Sequence, residues 1–416
     1  MRIEYMGSIL TSGFYGEYNQ KEMSMKDKKF ALIFSNVDES HLGKDVFLVP
    51  YYWCKVVATS ALAISSIIRS RCSSGVIVYP RKKAHAELPP KYRGICLEPL
   101  REYLKRSKKS YWISALVYLL REAHKIDILM QFHFSDNTLY IGNFYKLLHP
   151  KGFLYIKCDG EIWLDHFLKI LEEGRGFKGV WKRFLVTRLL KKADLISIET
   201  VTGYEKMQTR KYCGVSLKNK SALLSNGFDE DLLHSFSIKE RKCVEKENLI
   251  ISVGRLGTYE KNTEMILDAA ENVNFDDWKL VLIGPVEPNL KELIEEFYIN
   301  NPHLKNSVIF TGPIYDKKEL WEWYNRSKVF LLTSREESFA LVLMEAYRFN
   351  NYIVSTDVGW ARTAIDQSMG EIIPQDDSSA LKRSLQRIIN GSVTIFNDHY
   401  HKIDVSYEAA VRNVLK

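Results

Sequence analysis

The run from Lys328 to Phe349 restricts the fold more than any other stretch of the chain. Lys328-Val-Phe-Leu-Leu-Thr333 is apolar and of strand length, and Ala340 to Phe349 is apolar and of helix length. Between them lies a polar turn, Ser334-Arg-Glu-Glu-Ser-Phe339. A strand, a tight turn and a helix leave free backbone N–H groups and a positive helix end at the strand's carboxyl edge. In open α/β sheets that edge binds ligands, anions among them. Glu337 and Glu345 stand there, eight positions apart. Carboxylates cannot hold phosphate, but they accept hydrogen bonds from sugar and ribose hydroxyls.

The same alternation runs through the chain. The first series has strands at Lys29–Ser35, Gly75–Tyr79, Gly94–Glu98, Asp127–His133, Gly152–Lys157 and Asp194–Glu199. Helical runs span Asp45 to about Arg69 and Tyr111 to Lys125, and residues 1–28 read as an irregular lead-in. A second series has strands at Leu249–Val253, Trp278–Ile283, Val308–Phe310, Val329–Leu332, Asn351–Ser355 and Gly370–Ile373. Strands alternating with helices imply parallel sheets covered on both faces. At 416 residues the chain exceeds one ordinary core. The expected division is a domain over 1–215 and a second over 216–399, with a helix in 400–416 packing back on the first. The charged stretch 232–247 carries no strand or strong helix signal, and the linker is placed in 215–247.

Charge is uneven. Residues 1–200 hold 32 Lys and Arg against 20 Asp and Glu, and the remainder holds 27 against 31. The first half therefore attracts anions. Leu104–Lys109 and Lys178–Lys192 combine basic residues with Trp112, Trp181 and Phe184 nearby, as interfacial helices do. No apolar run approaches the roughly 18 residues of a membrane span, and Met1–Lys29 has no apolar core for a signal peptide. Six scattered cysteines without a C-x-x-C pair read as reduced cytosolic thiols. No His/Cys cluster or Asp-x-Asp strand end suggests a metal. No recognition motif supports nucleic-acid binding.

Val253-Gly254-Arg255-Leu256 ends one strand, and Lys261-Asn262 enters the next helix. Gly254 permits close approach of a ligand, and Arg255 and Lys261 can neutralise a diphosphate. Leu282-Ile-Gly284 and Phe310-Thr-Gly312-Pro313 also end strands in glycine. The order Gly-Arg-Leu, Lys-Asn, Leu-Ile-Gly, Phe-Thr-Gly-Pro and Glu-x7-Glu resembles the retaining glycosyltransferases of family four over residues 190–395. The resemblance implies the GT-B fold, an α/β architecture of two Rossmann-like, doubly wound domains facing a cleft. It implies that Arg255 and Lys261 hold the donor diphosphate and that Glu337 contacts the transferred sugar. It further implies backbone phosphate contacts at Ser338, Phe339, Ala340 and Leu341, ribose at Glu345, and the base at Pro313 and Ile314, with Gly254 allowing the approach.

Three positions depart from that pattern. The usual Glu-Gly-Phe-Gly loop reads Glu337-Ser338-Phe339-Ala340, which keeps its contacts if no positive φ is required. The first-domain loop offers only Gly43, and Asp159 ends a strand where a histidine is common. With His133, these residues form the expected acceptor and sugar side, and His133 with Asp136 makes a candidate acid/base pair. Asn226-Gly-Phe-Asp229 resembles the family's Asn-Gly-Val-Asp segment. The expected function is transfer of a sugar from a nucleotide-sugar to a glycan or lipid-linked acceptor in surface polysaccharide synthesis. The expected enzyme is cytoplasmic, needs no cofactor or metal, and contacts the anionic inner face of the plasma membrane. The alternative is a noncatalytic subunit that binds glycan or stabilises a partner transferase. A phosphorylase on this fold would need a cofactor lysine that is not identifiable.

Overall fold

The computed structural model describes residues 28–34, 41–57, 60–65, 91–100, 110–159, 176–365, 370–395 and 403–415. The strand expected at Gly75–Tyr79, the basic run Leu104–Lys109 and the lead-in before Lys28 lie outside the described residues. The chain divides into two units, 1–226 with 407–416, and 227–406.

The first unit is built on β1 (Lys29–Phe34), β2 (Ser60–Ser65), β3 (Lys91–Tyr92), β4 (Ile95–Pro99), β5 (Ile128–Phe132), β6 (Phe153–Cys158), β7 (Leu195–Ile198) and β10 (Ser221–Leu223). Their order across the sheet is β10-β7-β6-β5-β1-β2-β4-β3, parallel except for β3. β8 (Lys211–Tyr212) and β9 (Val215–Ser216) form a separate hairpin. The helices are α1 (Asp45–Val57), α2 (Ser110–Glu122), α3 (Asp136–Leu148), α4 (Gly176–Lys192) and α5 (Val201–Thr209). The helix expected to run from Asp45 to Arg69 stops at Val57, and Ser-Ala-Leu-Ala-Ile-Ser is β2. A short apolar run fits either period. The backbone ladder decides, because β2 fills the slot between β1 and β4, in register Lys29 with Ser60 and Leu62 with Cys96.

The second unit holds α6 (Glu230–Phe236), β11 (Glu247–Val253), α7 (Thr263–Ala270), β12 (Lys279–Ile283), α8 (Pro288–Asn300), β13 (Val308–Gly312) and α9 (Lys317–Arg326). It continues through β14 (Ser327–Leu332), α10 (Leu341–Arg348), β15 (Tyr352–Thr356), α11 (Ala361–Ala364), β16 (Gly370–Ile373) and α12 (Ser378–Ile389). All six strands are parallel, ordered β13-β12-β11-β14-β15-β16. Counted from β11, this is the order third, second, first, fourth, fifth, sixth. Its direction reverses between β11 and β14, the place where doubly wound sheets open a ligand crevice. The four inner strands are mostly buried, Ile250, Leu280, Phe330 and Ile353 among them, the edge strands β13 and β16 are only partly so, and large apolar clusters cover the sheet.

The connection between the units is more structured than its composition suggests. β10 pairs with β7, so the first unit runs on to Asn226 and the second starts at Gly227 rather than at 216. The stretch expected to be an unstructured linker opens with α6, whose N-terminus is capped by Asp229 Oδ1 accepting from Leu232 N at 3.2 Å. Leu233 anchors α6 in the core. The last helix, α13 (Tyr407–Leu415), belongs to the first unit and packs on α1. Tyr407 stacks on Tyr52 at 5.9 Å, and Lys55 pairs with Glu408 at 2.9 Å.

Candidate functional site

Three glycines end β11, β12 and β13, and they knit the strand ends together. Gly254 N donates to Ile283 O at 3.0 Å and Gly284 N to Gly312 O at 3.0 Å. Gly284 has φ +147°, and a Cβ there would lie 1.8 Å from Gly254 O. No side chain fits, so the bare backbone forms this part of the edge.

The loop after β11 is held by the loop after β14. Thr333 Oγ1 donates to the carbonyls of Lys261 and Asn262, both at 3.1 Å, and Arg335 N donates to Glu260 O at 2.7 Å. Arg335 adds a bond to Tyr259 O at 2.8 Å and an ion pair to Asp376 at 2.7 Å. This clasp brings the Lys261 ammonium onto Glu337 Oε1, which also accepts from Ser334 Oγ at 2.8 Å. The Lys261 stem lies 3.6 Å from where a Gly254 Cβ would stand. Lys261 and Glu337 are mostly shielded, at 20% and 14% side-chain exposure. Glu337 Oε2 has no partner among the described residues, so it can accept a hydroxyl hydrogen bond. Arg255 is exposed at the end of β11. Glu260 is held below the usual carboxyl range chiefly by its own backbone N–H, with Arg255 and Lys261 adding positive potential.

Beyond Glu337, Ser338 is exposed and Phe339 is buried against Trp360, their ring centres 5.9 Å apart. Ala340 has φ +64° and forms the N-terminal boundary of α10, with Leu341 exposed at its first turn. The position does require the left-handed conformation, against the condition under which alanine would replace glycine without cost. Glu345 Oε1 accepts from Lys317 and from Trp321 Nε1, the latter at 3.1 Å. Pro313 is exposed and Ile314 half-buried in the loop from β13 to α9, just before Lys317.

Sequence reading missed Lys317 and Gly359. Gly359 has φ +54°, and a Cβ there would lie 2.7 Å from Phe339 O and 3.2 Å from Glu337 Cβ. Trp360 N donates to that same carbonyl at 2.9 Å. The turn after β15 thus sets the Glu337 loop from behind. Gly359 follows Asp357-Val358, and its glycine and aspartate are only generic turn signals.

The first unit carries a second polar cluster at the carboxyl ends of β6 and β7. Lys157, wholly buried on β6, reaches Asp45 at 2.7 Å, Asp159 at 3.0 Å and Glu199 at 3.7 Å. Burial works against the ammonium, but the three carboxylates outweigh it and hold Lys157 well above the ordinary lysine range. Asp45 is lowered, because Lys157 overcomes the upward push of burial. Burial pushes Glu199 up to about 7, with Lys157 pulling down and Asp159 and Asp45 pushing up. Asn226 Nδ2 donates to Glu199 at 2.8 Å, and its buried Oδ1 has no partner among the described residues. The three carboxylates bring ligand atoms within 4.8 Å of one another, but the Lys157 ammonium takes the place a cation would occupy.

His133 has φ +58°, and its Nε2 faces Asp159 Oδ2 at 3.6 Å. The pairing of His133 with Asp136 is not found. Asp136 opens α3 and pairs with Lys182 at 2.9 Å, because the helix turns it away from the strand end. Gly43 lies in the turn before Asp45 with open space about it, in the same unit as His133 and Asp159.

Residues 235–404 match the family model described as "Glycosyl transferases group 1". The amylovoran biosynthesis glycosyltransferase AmsD of Erwinia amylovora is 28% identical over 228 residues, covering 50% of this chain and 62% of that protein. The O-antigen chain mannosyltransferase C of Escherichia coli is 26% identical over 217 residues, covering 50% and 55%. The chain thus spans little more than half the length of the curated relatives it matches. Among solved structures, a glycosyltransferase of Rickettsia africae ESF-5 superposes with a TM-score of 0.64 at 12% identity, covering 94% of this chain and 97% of that one. Alr3699/HepE of Anabaena, in complex with UDP and glucose, superposes with a TM-score of 0.58 at 15% identity, covering 93% and 95%. At such identities these likenesses show the fold, which is GT-B, with two Rossmann-like units.

Proposed function

We propose that the chain is a group 1 glycosyltransferase, a reading supported by the match of residues 235–404 to that family model, and that it transfers a sugar from a nucleoside-diphosphate sugar to a glycan or lipid-linked acceptor. One observation carries this reading: Lys261, Ser334 and Glu337 converge where the second sheet reverses direction. Lys261 and Arg255 supply positive charge for the diphosphate, and Glu337 Oε2 accepts from a sugar hydroxyl. The first N–H groups of α10, from Leu341, add donors for phosphate oxygens. Charge fixed before the bond breaks stabilises the leaving diphosphate as it develops.

In this reading transfer is retaining and needs no metal, with Lys261 and Arg255 as the cations that meet the diphosphate. Glu345 serves the ribose, Pro313 and Ile314 the base, and Gly43, His133 and Asp159 the acceptor or sugar side. Support for the donor class comes from the Anabaena structure with UDP and glucose, and for the pathway from the amylovoran and O-antigen relatives. The acceptor is a lipid-diphosphate glycan of surface polysaccharide assembly, met by peripheral contact at the inner face of the plasma membrane. The alternative, a noncatalytic glycan-binding subunit, is favoured by one feature: lysines already occupy Oε1 of both Glu337 and Glu345.

The test is release of nucleoside diphosphate from a panel of UDP- and GDP-sugars by the purified chain. Wild type is expected to turn over at least one donor, and Glu337→Ala and Lys261→Ala to lose about a hundredfold or more of that rate. Variants as active as wild type would overturn the site assignment. An inert wild type that activates a partner transferase would establish the alternative.

A further inference from the structure

Helix α4 presents an apolar stripe to solvent in place of the usual polar face. Phe177, Val180, Trp181 and Phe184 fall at i, i+3, i+4 and i+7, one side of the helix. They are 84%, 56%, 49% and 55% exposed. The Trp181 and Phe184 rings stack with centres 5.5 Å apart, so the stripe is one surface. The opposite side, Leu185, Val186, Leu189 and Leu190, is buried in the core of the first unit. α4 is therefore fixed in place by one face and has no need of the other for folding. A contiguous exposed aromatic patch on a chain of this kind marks a docking surface.

Charge identifies what docks there. Between Gly176 and Lys192 there are six basic residues and no acidic one. Lys182 is held by Asp136 and Arg188 by Asn143. Lys178, Lys191 and Lys192 are exposed beside the stripe. Aromatic residues flanked by lysines suit the boundary between lipid headgroups and acyl chains, where anionic lipids attract the cations. A second copy of the chain fits poorly, because two such helices would bring like charges together.

We infer that α4 docks the first unit on an anionic bilayer, with Phe177, Val180, Trp181 and Phe184 inserted at headgroup depth and the neighbouring lysines on lipid phosphates. This deepens the membrane part of the proposed function by naming the element and the lipid chemistry. Docking needs no donor, so its failure is distinct from failure of the transfer reading.

The experiment is co-sedimentation of the full chain with phosphatidylcholine vesicles, with and without phosphatidylglycerol. Binding is expected only with phosphatidylglycerol and is expected to weaken as salt rises. Trp181→Ser with Phe184→Ser, both at solvent-facing positions, is expected to keep the far-UV spectrum and melting temperature and to lose binding about tenfold or more. Lys178→Glu with Lys192→Glu is expected to lose the preference for phosphatidylglycerol. The inference is overturned if the aromatic variant binds as wild type does, if neutral vesicles bind equally well, or if wild type is a dimer in solution that the aromatic variant dissolves.

Discussion

Gly359→Ala isolates the claim that the turn after β15 positions Glu337. The residue sits at φ +54°, where a side chain costs about 1–2 kcal/mol. Its Cβ would lie 2.7 Å from Phe339 O and 2.8 Å from Phe339 C, both backbone atoms that cannot rotate away. Overpacking of this kind adds about 1–3 kcal/mol. Alanine returns about 0.4–1 kcal/mol by restricting the unfolded chain. The net loss is then about 2–4 kcal/mol, a fall in Tm of roughly 4–16 °C for a unit of this size. Gly391→Ala is the matched control, because Gly391 has φ +70° but nothing within 4 Å of its would-be Cβ. It should cost only the backbone strain, about 1 kcal/mol. Thermal melts of both variants, read alongside UDP titrations, separate the two terms. Gly359→Ala should also weaken nucleotide binding, since it pushes on the Glu337 loop, whereas Gly391→Ala should leave binding unchanged. Identical melts and identical UDP affinities for the two variants would refute the positioning argument.

Further expectations concern the polar clusters. Glu199 titrates near 7 in the folded chain against 4.5 as the ordinary value. Its contribution is fully present below the ordinary value and is lost as pH rises through 7, at most about 3 kcal/mol. Glu199→Gln should therefore flatten the fall in urea midpoint between about pH 5 and 8, and parallel profiles would contradict the assignment. Lys317 is 40% exposed, so Lys317→Met should cost under about 1 kcal/mol in a urea melt. Trp321→Phe should cost about 1–3 kcal/mol, since it removes a donor from Glu345 inside the core. The reverse order of the two would show that the ammonium, not the indole N–H, holds Glu345.

The inner strands of the second sheet were legible because each is a largely apolar run closed by glycine or a polar turn, the pattern of strands buried on both faces. The convergence of Lys261 with Glu337 followed from two loops at one edge of that sheet. Other features were hidden for physical reasons. β2 and the end of α1 share an apolar run in which neither period dominates, and only pairing with β1 and β4 decides it. α6 depends on the Asp229 cap and a single buried leucine more than on an apolar stripe. Lys157 alternates with apolar neighbours as an exposed strand lysine would, and its burial is offset by carboxylates 112 and 42 positions away in sequence. Gly359 and Lys317 act on glutamates that lie on other elements, through contacts the crossovers create.

The most direct measurement is calorimetric titration of UDP and GDP into the wild-type chain and into Lys261→Met, each in the presence of EDTA. The account predicts that wild type binds one of the two nucleotides without metal. It predicts that the variant binds it about tenfold or more weakly, the worth of a hydrogen bond to a charged group, about 1.5–3 kcal/mol. Equal affinity in the two proteins would contradict the claim that the loops after β11 and β14 form a diphosphate-sugar site.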